Sequence, residues 1–184
     1  MLVAAYCLIR GPESAPSISS EVSGVRHTVG IADMKISKNP SDVLITHALG
    51  SCLGLTVYDP VARIGGMLHA MLPLSTIDPK KAEDNPYMFV DTGVPRLFLE
   101  SYKAGAQKNR LIVKVAGGAT LRANHEEDFF EIGKRNFIML KKLLWKNDVI
   151  LNAHDVGGSS SRTMLMSLET GDVTLRINGT EVKL

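Results

Sequence analysis

Two side chains in this sequence have the chemistry to share a nucleophilic reaction, the thiol of Cys52 and the imidazole of His69. Cys52 lies in the string Gly50-Ser51-Cys52-Leu53-Gly54, where small residues meet the start of an apolar run. A turn of this kind exposes a thiol together with several backbone N–H groups. Its small neighbours let a substrate carbonyl approach that backbone. A free cysteine thiol loses its proton only near pH ~8.5, so it attacks poorly until a base takes the proton, and a neighbouring imidazole can do so. Ser51 and Gly50 are the candidates for a backbone cradle that holds an oxyanion or a substrate loop. The same cysteine also suits the role of a small buried hydrophobe.

His69 sits in the apolar run Gly65-Gly66-Met67-Leu68-His69-Ala70-Met71-Leu72-Pro73. A histidine in such a run can be a satisfied core residue. Its spacing gives it a second reading. Leu53–Tyr58 alternates and is rich in β-formers, Asp59-Pro60 is a turn signal, and Ile64–Leu72 reads as a second strand. Folding these into a hairpin with its turn near residues 60–62 places residues 68–72 opposite residue 52. His47, five residues before Cys52, is a rival base, although as a strand neighbour of Thr46 it points to the opposite face. His27, His125 and His154 form no HxxxH or HExxH pattern with the others. A metal site would need ligands from four distant segments, and none is expected.

The elements that must position these residues follow from pattern and punctuation. Strands are expected at Thr28–Met34, Asp42–Leu49, Leu53–Tyr58, Ile64–Leu72, Leu111–Val115, Val149–Ala153, Met164–Leu168 and Val173–Ile177. Helices are expected at about Asp91–Lys103, starting near Thr92 so that Pro95 falls in the first turn, and at Lys134–Lys146. Pro79–Pro86 reads as an exposed, charged loop. Lys134-Arg135-Asn136 reads as a solvated helix start. Asp155–Arg162 is a Gly/Ser turn that could also serve as a substrate loop. The fold class is α/β of α+β character, a layered mixed β-sheet with two main helices on one face.

Length and composition set limits on function. The chain has 184 residues, 45% hydrophobic and 22% charged, which suits one folded domain. Residues 10–26 are rich in Ser, Pro and Gly, so residues 1–26 are expected to be a flexible leader and 27–184 the folded domain. The net charge of +2 and 5% aromatic content argue against nucleic-acid binding. The only cysteines, Cys7 and Cys52, form no disulfide framework and suit a reducing compartment. No apolar run reaches the roughly 18 residues of a membrane span. The expected location is cytoplasmic, without membrane insertion.

The strings Thr46-His47-Ala48-Leu49-Gly50-Ser51-Cys52, Tyr58-Asp59-Pro60 and Gly65 to Pro73 resemble the CheD family of chemoreceptor glutamine deamidases. So do Ala116-Gly117-Gly118-Ala119, Ile132-Gly133-Lys134-Arg135-Asn136, Asp155 with Gly157-Gly158 and Arg162, and Glu169-Thr170-Gly171. Together they cover about residues 28–178, in order. The resemblance implies Cys52 as nucleophile, His69 as base and Thr46 as third member of a triad. It implies a layered fold similar to the catalytic domain of cytotoxic necrotizing factor toxins. The implied substrates are glutamines on the cytoplasmic helices of chemoreceptors, and the implied partner is the phosphatase CheC.

The implied reaction is hydrolysis of a side-chain amide, converting protein-bound glutamine to glutamate with no cofactor. A glutamyl methyl ester carries the same acyl group, so methylesterase side activity is compatible. The rivals are a non-catalytic regulatory module that docks to CheC, and a thiol amidase or transglutaminase of other specificity. The intact Thr46, Cys52 and His69 set weighs against pure docking.

Overall fold

The computed structural model describes residues 24–120 and 130–184. Most of the expected leader, with Cys7, and the segment containing His125 lie outside the described residues.

Among the described residues, ten strands divide between two five-stranded mixed sheets. Strands β1 (Arg26–Thr28), β3 (Val43–Leu49), β8 (Arg162–Ser167), β9 (Val173–Ile177) and β10 (Thr180–Lys183) form the outer sheet, in that order. The central sheet has the order β2 (Asp33–Ser37), β5 (Ile64–Ala70), β4 (Leu53–Asp59), β6 (Ile112–Gly117) and β7 (Ala153–Val156). Two long helices, α2 (Val90–Ala104) and α3 (Ile132–Lys146), cover the other face of the central sheet. A short exposed helix, α1 (Pro79–Asp84), precedes them. The result is a layered α/β architecture, helices on one face as expected, with two sheets where the sequence pattern suggested one.

The central sheet is buried on both faces, and its sequence follows from that. Every residue of β4 and β5 is buried. Leu53, Leu55, Val57, Leu68 and Ala70 pack toward the helices, whereas Tyr58 and Met67 pack toward the outer sheet. The strand alternation therefore sends His69 to the space between the sheets. Gly65 and Gly66 keep β5 thin on each side. A Cβ at Gly65 would lie 2.3 Å from Leu168, and one at Gly66 would lie 2.5 Å from Ile36.

Several elements differ from the sequence expectation. The strand expected at 28–34 is two strands, because the chain crosses from the outer to the central sheet between β1 and β2, turning at Ala32 with φ +53°. The strand expected at 149–153 begins only at Ala153. Asn152 bridges to Val113 through both its backbone N–H and its side-chain oxygen, while Val149 and Leu151 pack on the helix-side core. The 79–86 loop contains α1, whose first turn is capped by the Asp78 carboxylate accepting from the Lys81 N–H. Helix α2 starts at Val90, two residues early, with Pro95 in its second turn. Burial of Val90, Val94, Leu97 and Phe98 holds it there. The fold already includes residues just before 27, since Val25 O accepts from Val43 N–H.

Candidate active site

Gly50, Ser51 and Cys52 form the corner where the chain leaves β3 for β4 and so passes from the outer sheet to the central one. A bulge prepares that corner. Thr46 pairs with Met164 and Leu49 with Arg162, so three steps on β3 match two on β8. Ala48, at φ +56°, takes up the extra residue. His47 and Ala48 both face solvent as a consequence, while Thr46 and Leu49 face inward.

His69 lies directly opposite Gly54 in the β4–β5 register, and Leu53 pairs with Ala70. Cys52 is half-buried and packs against the core between the sheets. The imidazole is 0% exposed, and its Nδ1 lies 2.8 Å from Thr46 Oγ1. That hydroxyl also lies 2.8 Å from the Val29 carbonyl oxygen. A carbonyl has no hydrogen to give, so the single hydroxyl hydrogen goes to Val29 O. Toward His69 the hydroxyl can only accept. Nδ1 therefore carries the ring hydrogen, and Nε2 presents a bare lone pair. Nε2 is buried and has no hydrogen-bond partner. Asp33, opposite His69 in the β2–β5 register, directs its carboxylate to the N–H groups of Gly30 and Met34. The orienting partner of the imidazole is thus a hydroxyl and not an acid.

Burial sets the protonation states. It pushes His69 down to about 4, so the ring is neutral at pH 7. It also pushes the Cys52 thiol up, with the cysteine's own N–H pulling weakly the other way. The resting pair is a neutral thiol and a neutral imidazole. No hydrogen bond joins them here. Such bonds often form only when substrate closes the site.

The corner is held by its carbonyls. Gly50 O accepts from Ala119 N–H and Cys52 O from Gly118 N–H, each at 2.8 Å. Ser51 O accepts from Asn136 Nδ2 at 3.0 Å. Among the described residues neither Ser51 nor Cys52 donates a backbone hydrogen bond to another residue. Ser51 N–H is therefore available to an oxyanion, and Cys52 N–H is engaged only with its own Sγ. Gly50 N–H is not available, being bonded to Ala48 O at 2.9 Å.

The other singled-out residues fall as follows. His47 lies on the solvent face, its Nδ1 3.4 Å from Thr163 Oγ1, so it and His69 are on opposite faces of β3. Arg162 ties Asp155 to the Ser160 carbonyl, and Gly157 N–H reaches Gly117 O. This turn is stapled beside the Cys52 corner. A hollow of about 470 Å³ between α2 and α3 lies in the helix layer and is lined by none of Thr46, Cys52 or His69. Among the described residues no cluster of three His, Cys, Asp or Glu side chains could hold a metal ion.

Asn136, expected as part of a solvated helix start, is buried instead, because α3 begins earlier, at Ile132, and turns this position inward. It is 0% exposed and also donates to Met71 O at 2.9 Å, leaving its Oδ1 buried and unpaired. The signal was its place in the stripe Gly133, Asn136, Leu140, Leu144, all buried. An amide in the apolar stripe of a helix needs an internal partner.

Comparison with known proteins identifies the family of the chain. The family model described as CheD chemotactic sensory transduction matches residues 71–177, more than half of the chain. A Solibacter usitatus protein named "Probable chemoreceptor glutamine deamidase CheD" is 48% identical over 85% of this chain and 91% of its own length. A relative of the same name, numbered 1, from Syntrophus aciditrophicus is 46% identical over 82% of this chain and 93% of its own. One from Anaeromyxobacter dehalogenans, numbered 2, is 44% identical over 81% and 92%. A solved Neisseria meningitidis structure aligns at a TM-score of 0.40 with 9% identity over 73% of this chain and 62% of its own, too distant to carry an argument. On the strength of the family match and of identities above 40% along most of its length, this chain belongs to the CheD family.

Proposed function

We propose that this protein is a chemoreceptor glutamine deamidase, a thiol-dependent protein-glutamine glutaminase of chemotactic adaptation in the cytoplasm. The observation that carries the reading is the Thr46–His69 hydrogen bond, which leaves a bare Nε2 on the inter-sheet side where Cys52 also packs. Relatives at 40–48% identity bear the corresponding name. Among the described residues no helix is long and apolar enough to cross a membrane.

In this reading Cys52 Sγ attacks the carboxamide carbon of a receptor glutamine while its proton passes to His69 Nε2. Because both groups are neutral at rest, proton transfer accompanies attack, and no preformed thiolate is needed. The Ser51 and Cys52 N–H groups receive the developing oxyanion. His69 then returns the proton to the departing nitrogen, ammonia leaves and a thioester remains. Water, deprotonated by the same Nε2, cleaves the thioester to glutamate and restores the thiol. Thr46 accepts from Nδ1–H throughout, and that bond strengthens when the ring becomes cationic. A CheC-type phosphatase is proposed as a second partner that competes with the receptor helix for the Cys52 corner.

Intact-mass analysis of a purified receptor cytoplasmic fragment tests the reading. It predicts a gain of about one dalton per glutamine converted, as amide becomes acid through the acyl-enzyme route. An unchanged receptor mass under conditions where Cys52 is reduced and the protein folded would overturn it.

A further inference from the structure

We infer that Asn136 is a positioning residue that sets the approach of Cys52 to His69. The inference rests on the proposed roles of those two residues. The β4–β5 ladder ends at the pair Leu53 and Ala70. Beyond it the two segments turn away to different partners. Cys52 O goes to Gly118 N–H, while Met71 and Leu72 N–H go to Met88 O. No ladder bond therefore fixes the thiol-bearing corner relative to the end of the histidine strand.

Asn136 spans that gap. Its Nδ2 donates to Ser51 O at 3.0 Å and to Met71 O at 2.9 Å. Ser51 immediately precedes Cys52, and Met71 lies two residues beyond His69. Both acceptors are carbonyls, so the amide can face them only with its NH2 group. Oδ1 is then turned away, buried and unpaired. A leucine here would fill similar space with no stranded oxygen of its own, as Leu140 and Leu144 do on the same face, but it would leave Ser51 O and Met71 O without their donor. An aspartate would set a carboxylate against two carbonyls. Only an amide supplies two hydrogens from one atom here, and the stranded oxygen comes with it.

The helix that carries Asn136 is itself fixed to the corner. A Cβ on Gly133 would lie 2.4 Å from Gly118 O, so the first turn of α3 sits flush on the segment whose N–H groups hold Gly50 and Cys52. The bracket therefore has a rigid base. It acts through the geometry of the pair and not by contact with substrate.

The test is a double-mutant cycle on Cys52 alkylation by iodoacetamide at pH 7, with thermal unfolding and receptor-fragment deamidation measured alongside. Asn136→Leu is expected to slow alkylation several-fold in the wild-type background and less than twofold when His69 is already alanine. It is expected to lower kcat for deamidation by about tenfold or more with KM within twofold. Its melting temperature should fall by a few degrees, because the single orphaned Oδ1 is exchanged for two carbonyls, Ser51 O and Met71 O, that lose their donor. Equal slowing in both backgrounds, or unchanged kcat in a folded variant, would overturn the inference. If Asn136→Leu does not fold, Asn136→Ala carries the same cycle. Alkylation needs no receptor, so its outcome decides the role of Asn136 even if wild-type protein fails to deamidate the fragment.

Discussion

Replacing Thr46 with valine removes one hydroxyl and keeps the branched shape. The consequence can be worked from two distances. Thr46 Oγ1 lies 2.8 Å from His69 Nδ1 and 2.8 Å from Val29 O. Without it, Nδ1–H loses its acceptor in a fully buried site, and Val29 O loses a donor. An unpaired buried polar group costs about 1–3 kcal/mol. The ring can escape that cost by moving its hydrogen to Nε2, but then the base has no lone pair facing the thiol. Either outcome penalises the productive state by about 1–3 kcal/mol, or roughly five- to a hundred-and-fortyfold in kcat at about 1.4 kcal/mol per decade. The loss should be smaller than that for removing the aspartate of a Ser-His-Asp triad, since the partner here is uncharged. Single-turnover deamidation of a receptor fragment, followed by intact mass, reads the effect. Thr46→Ser, which keeps the oxygen, should retain activity within a few-fold of wild type. If Thr46→Val matched wild type within twofold, the tautomer argument would be refuted.

His69→Ala should be nearly as damaging as loss of the thiol, at about a thousandfold or more, whereas His47→Ala should change the rate little; the reverse order in deamidation assays would identify the wrong base. Stability should depend on His69 protonation. Its folded value of about 4 lies below its unfolded value near 6.5, so the unfolded chain binds more protons between them. This contribution is complete above pH 6.5 and is lost as pH falls toward 4, by about 2–3 kcal/mol. Denaturant melts at pH 7 and pH 4.5 should show that difference in wild type and a clearly smaller one in His69→Gln. Deletion of residues 1–23 should leave receptor deamidation unchanged, and a folded but inactive truncation would assign those residues a part in the site. Free glutamine should be a far poorer substrate than a receptor fragment, because remote contacts must orient so small a group; equal kcat/KM for the two would contradict this.

The sequence made the β4–β5 hairpin legible because its signals are local. The small residues at 50–52 and the turn at Asp59-Pro60 fix the hairpin register within a few residues. The observed pairing of Gly54 with His69 falls where that register puts it. The split into two sheets was not legible. Whether a strand continues its sheet or crosses to another depends on corners such as Ala32 and Gly50–Cys52, whose direction is set by tertiary packing. β4 and β5, buried on both faces, read as apolar runs whichever sheet they join. Pro95 misled because local propensity loses to the burial of Val90 and Val94 on one helix face. Asn136 read as a solvated helix start because its acceptors, Ser51 and Met71, lie 85 and 65 residues away in sequence. The role of Val29 could not be read at all, since it acts through a backbone carbonyl.

The central claim is an acyl intermediate on Cys52, and hydroxylamine trapping tests it most directly. Incubation of a receptor fragment with wild-type protein and hydroxylamine lets two nucleophiles compete for the thioester. The account predicts glutamyl hydroxamate beside glutamate at the same receptor positions, a mass about sixteen dalton above the original amide for the trapped product. It predicts neither product with Cys52→Ala. Glutamate formed at the wild-type rate by Cys52→Ala would contradict it.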